Sequence, residues 1–287
     1  MTSLARGWAK RLVSVPVLGP IALTAVRARR VLPAASRPLV RAVPWLFTSR
    51  ELTNFTYHLE ERNVRYLAAL IADVVGAPVE TIEGYIAEVQ TDDALRAHIG
   101  SAARSTFQKR TSGRSMPYGR RLGWYALARA IKPRVVVETG VDKGLGGCVL
   151  VAALNRNRAE GFEGRYFGTD INPEAGYLLR GEYSRNAVVL YGDSKGSLEA
   201  LEETIDLFVN DSDHSAAYEA DEYRVVAPKL ARGAVIIGDN AHATDELFRF
   251  SLESGRCFLY FQEEPRNHWY RGAGLGLSFV RDTSRAP

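Results

Sequence analysis

The sequence predicts an α/β fold: a doubly wound seven-stranded sheet ending in an antiparallel hairpin, preceded by an N-terminal helical cap. Three observations carry this. After Lys132, short apolar runs alternate with stretches of helical period, the rhythm of strands linked by helices. The runs are apolar at nearly every position, as strands covered on both faces must be. The last two runs follow each other with no helical stretch between them, so they pair antiparallel.

Residues 1–50 hold nine Lys or Arg and no Asp or Glu, leaving 28 basic and 33 acidic residues in 51–287. The formal net charge of +4 therefore belongs to this extension, and the acidic body gives no electrostatic ground for binding nucleic acid. "SLARGWAKRLV" sets Leu4, Trp8 and Leu12 on one helical face with Arg6 and Lys10 opposite. That is the pattern of a basic helix on an anionic membrane, so peripheral membrane contact through residues 1–30 is one reading. "LVSVPVLGPIALTAV", broken by Pro16, Gly19 and Pro20, is too short to span a bilayer. "LPAAS" matches a signal-cleavage site only loosely, and only after "RARR". Packing on the body or a partner, membrane contact, targeting and disorder all stay open for this extension.

Residues 51–118 read as the helical cap and its loop. Leu67, Leu70, Ile71 and Val74 recur at helical spacing, Gly76 and Pro78 punctuate, and Val79, Ile82, Ile86 and Val89 resume the stripe. "TFQKRTSGRSMPYGRR" breaks the period and reads as an exposed loop, either a linker or a cover over an active site. Its Lys109, Arg110, Arg114, Arg120 and Arg121 hint at an anionic group on a ligand. The helix of "LGWYALARAI" opens the third region, residues 119–287.

There, "RVVVETG", "GRYFGTD", "AVVLYGD", "IDLFVND" and "GAVIIGDN" read as strands, each followed by a helical stretch. The second of those stretches is "EAGYLLRGEYS". "RCFLYFQ" and "GLGLSFV" form the terminal hairpin around "EEPRNHWYRGA". Cys148 and Cys257 have no framework or metal-type spacing, which suits a reducing compartment and a cytoplasmic protein, membrane-associated if the extension binds lipid.

In an open α/β sheet, ligands bind beyond the carboxyl ends of the strands. All five parallel strands end there in an acid: Glu138, Asp170, Asp193, Asp211 and Asp239. One such residue is commonly a helix cap; five in succession point to a site. In "VETGVDKGLGG", Gly140 and Gly144 allow a sharp turn against a helix N-terminus, but the spacing is not that of a dinucleotide fingerprint. Carboxylates at Glu138 and Asp142 suit a positively charged ligand. Asp170 stands where an acid receives ribose hydroxyls, and Asp193, followed by Ser194, can accept from an adenine amine. The ligand sketched is an adenosine with a cationic arm.

At these residues the sequence resembles the class I S-adenosylmethionine-dependent methyltransferases over residues 120–281, through "VVVETGVDKG", "YFGTD", "LYGDS" and "IDLFVNDSDH". The resemblance implies a Rossmann-like sheet whose last strand is inserted antiparallel between the fifth and sixth, with S-adenosylmethionine as cofactor. It also implies the cofactor-binding set Glu138, Gly140, Asp142, Gly144, Asp170, Asp193 and Ser194. Asp142 and the shifted Gly146 depart from the first motif. The chain is further similar to metal-dependent catechol and caffeoyl-coenzyme A O-methyltransferases, and to methyltransferases acting on sugars and natural products. By that similarity Asp211, Asp239 and Asn240 are the ligands of a magnesium ion, which would acidify and orient a substrate hydroxyl. His214 falls where those enzymes place a lysine that takes the hydroxyl proton, so it is the expected general base, with Asp213 orienting it or capping the next helix.

His242 is a second candidate base or ligand, His268 and Trp269 line a pocket or pack structurally, and His58 and His98 read as surface. The expectation is a methyltransferase acting on a small-molecule hydroxyl. The alternatives are a non-catalytic or membrane-recruited binding protein that keeps the fold, and a nicotinamide-dependent reductase. The sequence leaves the acceptor, its regiochemistry and any homo-oligomer open.

Overall fold

The computed structural model describes residues 18–51, 54–105 and 116–281. The expected basic helix over Leu4–Leu12 and the loop residues Lys109, Arg110 and Arg114 lie outside them. The described chain divides into two units, one of residues up to 49 with 267–270, the other of 50–266 with the remainder.

In the first unit, helix α1 (Leu18–Thr48) continues through Pro33, Pro38 and Pro44. Gly19 and Pro20 fall in its first turn, where a missing N–H costs nothing. Near its end the ring of Trp45 meets those of His268 and Trp269 edge-on, with centroids 6.1 and 5.2 Å away, and Arg41 donates to the His268 carbonyl at 3.3 Å.

In the second unit the cap is helices α2 (Glu61–Val75), α3 (Val79–Gln90) and α4 (Asp93–Ser105). The apolar stripe is buried at Leu67, Ile71, Ile82, Ile86 and Val89, and Gly76 closes α2 in the left-handed conformation. Residues 54–60, expected helical, are extended, and Leu59 bridges to Pro265. Then come α5 (Arg121–Ile131), β1 (Val135–Thr139), α6 (Leu145–Ala159), β2 (Arg165–Asp170), β3 (Ala187–Tyr191), α7 (Ser194–Ala200), β4 (Ile205–Asn210), α8 (Ala216–Val226), β5 (Leu230–Asp239), α9 (Glu246–Glu253), β6 (Cys257–Phe261) and β7 (Leu275–Phe279).

The seven strands run in the order β3-β2-β1-β4-β5-β7-β6, with β7 antiparallel to both neighbours and the other ladders parallel. The doubly wound sheet with its inserted last strand is thus as expected. Val137, Phe208 and Ile236 are buried at its centre with Tyr223, Val226 and Leu247 from the helices. Strand order reverses between β1 and β4, so the switch point opens at the carboxyl ends of those two strands.

Two expectations are corrected. The stretch 174–184 is not a helix: Gly176 and Gly181 take φ of 76° and 61°, and only a 3₁₀ turn over Gly181–Ser184 forms. Residues 116–120, expected as exposed loop, pack inward, and Met116, Tyr118 and Arg120 are buried.

Candidate functional site

The carboxyl ends of β1 to β4 surround a cleft of about 510 Å³ lined by Gly140, Asp142, Asp170, Asp193, Ser194, Asp211, Asp213 and His214, among others. Its floor depends on Gly140. With φ of 80°, a Cβ at this position would meet the Asp211 carbonyl oxygen at 2.0 Å, so β1 and β4 converge because residue 140 has no side chain. Gly144, φ 91°, turns the chain into α6.

Asp142 takes φ 45° on the cleft lip, and its N–H donates to Asp170 Oδ2 at 2.8 Å. Asp170 Oδ1 accepts from the Asn172 N–H at 2.8 Å, which fixes the carboxylate while leaving lone pairs on both oxygens. Asp193 caps α7 through the Gly196 N–H at 3.3 Å and accepts from the Tyr218 hydroxyl at 2.6 Å; that hydroxyl bond holds its pKa below the usual carboxylate range. Ser194 is 2.8 Å from the same Tyr218 hydroxyl and donates to Glu222. The buried Glu222 also gathers Asn210 and Ser212, each at 2.6 Å, tying the end of β4 to α7.

Five of the seven expected cofactor residues line the cleft, whereas Gly144 turns the chain behind it and Glu138 is placed differently again. It is buried beneath the turn, where it accepts from the Tyr166 hydroxyl at 2.6 Å, and it does not line the cleft. Burial pushes its pKa up to about 8.

The second cluster lies where β4 and β5 end. Arg120, at the start of α5, forks both oxygens of Asp239. Its remaining nitrogen is 3.3 Å from Glu263 Oε2 and from the Tyr57 hydroxyl. Glu263 in turn accepts from Tyr57 at 2.9 Å and from the Ala273 N–H at 2.9 Å. Burial alone would raise Asp239, but the Arg120 charge prevails and lowers its pKa to about 2. Asp211 goes the other way: burial, then the neighbouring charge of Asp239, push its pKa well above the carboxylate range. Arg121 stands 3.6 Å from the other face of Asp211, over the ring of Trp124.

Asn240, in the left-handed conformation at φ 57°, turns its amide nitrogen to 2.8 Å from His214 Nε2, which lies 3.6 Å from Asp211. With the amide donating, Nε2 carries the lone pair, and burial lowers the His214 pKa below 6.5. Asp213 is exposed and accepts from the Ser215 N–H at 2.8 Å, closing a turn just before α8, whose N-cap is Ser215.

Asp211, Asp239 and Asn240 do meet, as the magnesium expectation requires, but they do not fit the ion. Magnesium needs ionised oxygen donors with free lone pairs. Here the Asp239 carboxylate is already forked by a guanidinium, Arg121 stands 3.6 Å from Asp211, and the Asn240 amide presents its nitrogen to a histidine. Among the described residues no group of three or more His, Cys, Asp or Glu is disposed to hold a metal.

Of the remaining histidines, His242 and His58 are exposed, whereas His98, expected at the surface, is half-buried with Nε2 2.8 Å from the Leu178 carbonyl. Sequence reasoning missed Asn54, Tyr57, Tyr218, Glu222 and Glu263, and took Arg120 and Arg121 for loop charges. Asn54 donates to Asp142 at 2.8 Å across 88 residues of chain, and no spacing rule connects such pairs. "GRR" directly before an apolar helix was the available signal for the arginines.

Residues 137–241 match the family model of a methyltransferase domain, a span that holds every strand-end acid and His214. The resemblance drawn from the motifs is thereby found independently. No curated protein matches the chain. Among solved structures it is similar to the O-methyltransferase TomG of Streptomyces achromogenes, involved in tomaymycin synthesis and solved with S-adenosylmethionine: 18% identity, 67% of this chain and 91% of that one, TM-score 0.49. The methyltransferase PaMTH1 of Podospora anserina, bound to S-adenosylhomocysteine, shares 14% identity over 80% of this chain and 100% of that one, TM-score 0.48. A methyltransferase of Geobacter sulfurreducens shares 21% identity over 66% and 90%, TM-score 0.47. Each is a distant likeness.

Proposed function

We propose that the chain is an S-adenosylmethionine-dependent methyltransferase that methylates a hydroxyl oxygen of a small molecule, with His214 as the base and no metal in the reaction. The observation that carries this is the place of His214 Nε2, 2.8 Å from the Asn240 amide nitrogen and 3.6 Å from Asp211, at the mouth of an acid-lined cleft.

The cleft suits the cofactor. Asp170, fixed by two backbone N–H groups and still able to accept, would receive the ribose hydroxyls. Asp193 and Ser194, held by Tyr218, would take the adenine edge. Asp142 and the turn of Gly140 and Gly144 would face the cationic methionine end. When bound, S-adenosylmethionine supplies an electrophilic methyl on a sulfonium.

The chain's own residues would do the rest. An acceptor hydroxyl that displaces the Asn240 amide meets His214 Nε2, which takes its proton. Arg121, 3.6 Å from Asp211 on the cleft wall, would donate to the acceptor oxygen and help hold it in line. Arg120 does not reach this step; it neutralises Asp239 and ties the end of β5 to Glu263 beyond β6.

Titration calorimetry with S-adenosylmethionine and with nicotinamide dinucleotides tests the cofactor. Transfer of labelled methyl to a panel of small hydroxyl compounds, with and without EDTA, tests the reaction. Expected are binding of the first cofactor class alone and transfer that EDTA leaves unchanged. Binding of a nicotinamide dinucleotide alone overturns the reading, and EDTA-sensitive transfer overturns its metal-free form.

A further inference from the structure

Helix α1 exposes Ile21, Val26, Val31, Leu32, Leu39, Val40, Val43, Leu46 and Phe47, the last at 85% of its surface. At 100° per residue these side chains are not scattered. Ile21, Leu32, Leu39, Val40, Val43, Leu46 and Phe47 fall within an arc of about 120°. Arg27, Arg30, Arg37 and Arg41 fall on the opposite side, within about 80° of one another. Val26 and Val31 stand outside the two arcs, and Arg29 falls inside the apolar arc, in line with Phe47.

An apolar stripe of seven large side chains along a helix about 46 Å long is costly to leave in water. The sign of the charge says what covers it. The helix carries five Arg and no acid, and no Asp or Glu occurs in residues 1–50. A helix that only needed solubility or a mixed protein partner would use both signs. One sign without exception matches a surface of fixed opposite charge, and arginine stems reach from the flank of an apolar stripe to phosphate groups.

The helix does not enter the hydrocarbon core. No described helix is long and apolar enough to cross a membrane. Pro33, Pro38 and Pro44 remove the N–H partners of the Arg29, Ala34 and Val40 carbonyls, which the headgroup region can hydrate and the bilayer centre cannot.

From this geometry we infer that α1 is an interfacial membrane anchor that lies in the plane of an anionic bilayer, with the Leu39–Phe47 face in the acyl boundary and the arginines on headgroup phosphates. This does not depend on the reaction assigned to the cleft. It is tested by co-sedimentation of the full chain with vesicles of phosphatidylcholine alone and of phosphatidylcholine with one quarter phosphatidylglycerol. Binding is expected on the anionic vesicles, weaker by roughly tenfold on the neutral ones and reduced by salt. Leu39→Glu/Val43→Glu/Leu46→Glu should lower anionic binding at least about tenfold. Arg27→Gln/Arg30→Gln/Arg37→Gln should remove the preference for anionic lipid. Unchanged thermal midpoints of both variants show that they fold. Equal sedimentation of parent and triple-Glu variant, or no binding to anionic vesicles, overturns the inference. So does a parent that avoids vesicles but self-associates by light scattering, with the triple-Glu variant monomeric, which would make a second copy the occupant.

Discussion

Replacing Arg120 with leucine removes the cation from between Asp239 and Glu263. The side chains of both acids have no exposed surface, and that of Arg120 is 9% exposed, so water cannot take over its role. Deleting one member of a buried ion pair costs about 3 to 5 kcal/mol, because the partner stays buried and uncompensated. With a urea slope near the upper end of about 1 to 3 kcal/mol per molar, the unfolding midpoint should fall by roughly 1 to 2 M at pH 7. The loss should shrink at low pH. In the parent the depressed pKa of Asp239, about 2, contributes stability above its unfolded value of 3.8 that is lost as pH falls toward 2. Arg120→Leu lacks that contribution, so the two proteins converge as pH drops. Arg120→Leu/Asp239→Leu/Glu263→Leu should recover most of the difference, since an apolar triad needs no counterion. The assay is equilibrium urea unfolding by far-ultraviolet dichroism at pH 7 and pH 2.5. A single variant within about 1 kcal/mol of the parent at pH 7 refutes the reasoning and returns Asp239 to the set of free carboxylates.

His214→Ala should lower the methyl-transfer rate by about 10²- to 10⁴-fold while binding of S-adenosylhomocysteine, read by calorimetry, stays the same. Because burial lowers the His214 pKa, the parent rate should be level at pH 7 and fall only below 6.5; a rate that keeps falling between pH 8 and 7 contradicts a neutral base. Asp170→Asn should weaken S-adenosylhomocysteine binding by about 10- to 100-fold through lost charged hydrogen bonds, and unaltered affinity would remove Asp170 from the ribose site. Glu138 has a folded pKa raised from 4.5 to about 8, so the stability it adds is complete below pH 4.5 and lost as pH rises toward 8. Between pH 6 and pH 9 the parent should therefore lose about 2 to 3 kcal/mol that Glu138→Gln retains, measured by urea unfolding, and parallel losses would show that Glu138 is ionised in the fold.

The sequence by itself determined the sheet and the edge where ligands bind. Apolar runs such as "VVVET" and "LFVN" cannot satisfy both faces except inside a parallel sheet, and chain order then places Asp170, Asp193, Asp211 and Asp239 on one rim. It did not determine what each acid faces, because that depends on groups far away along the chain. Glu138 and Asp142 share one motif, yet Trp124 and Tyr166 cover the first while the second stands at the cleft lip beside Asn54. Asp239 read as a metal ligand until Arg120, 119 residues earlier, closed on it. The turn at 174–184 escaped the helical pattern because two glycines outweighed the leucines. Local periodicity fixes which way a side chain points, whereas the charge state of a buried carboxyl is set by what packs against it, and only the tertiary structure supplies those neighbours.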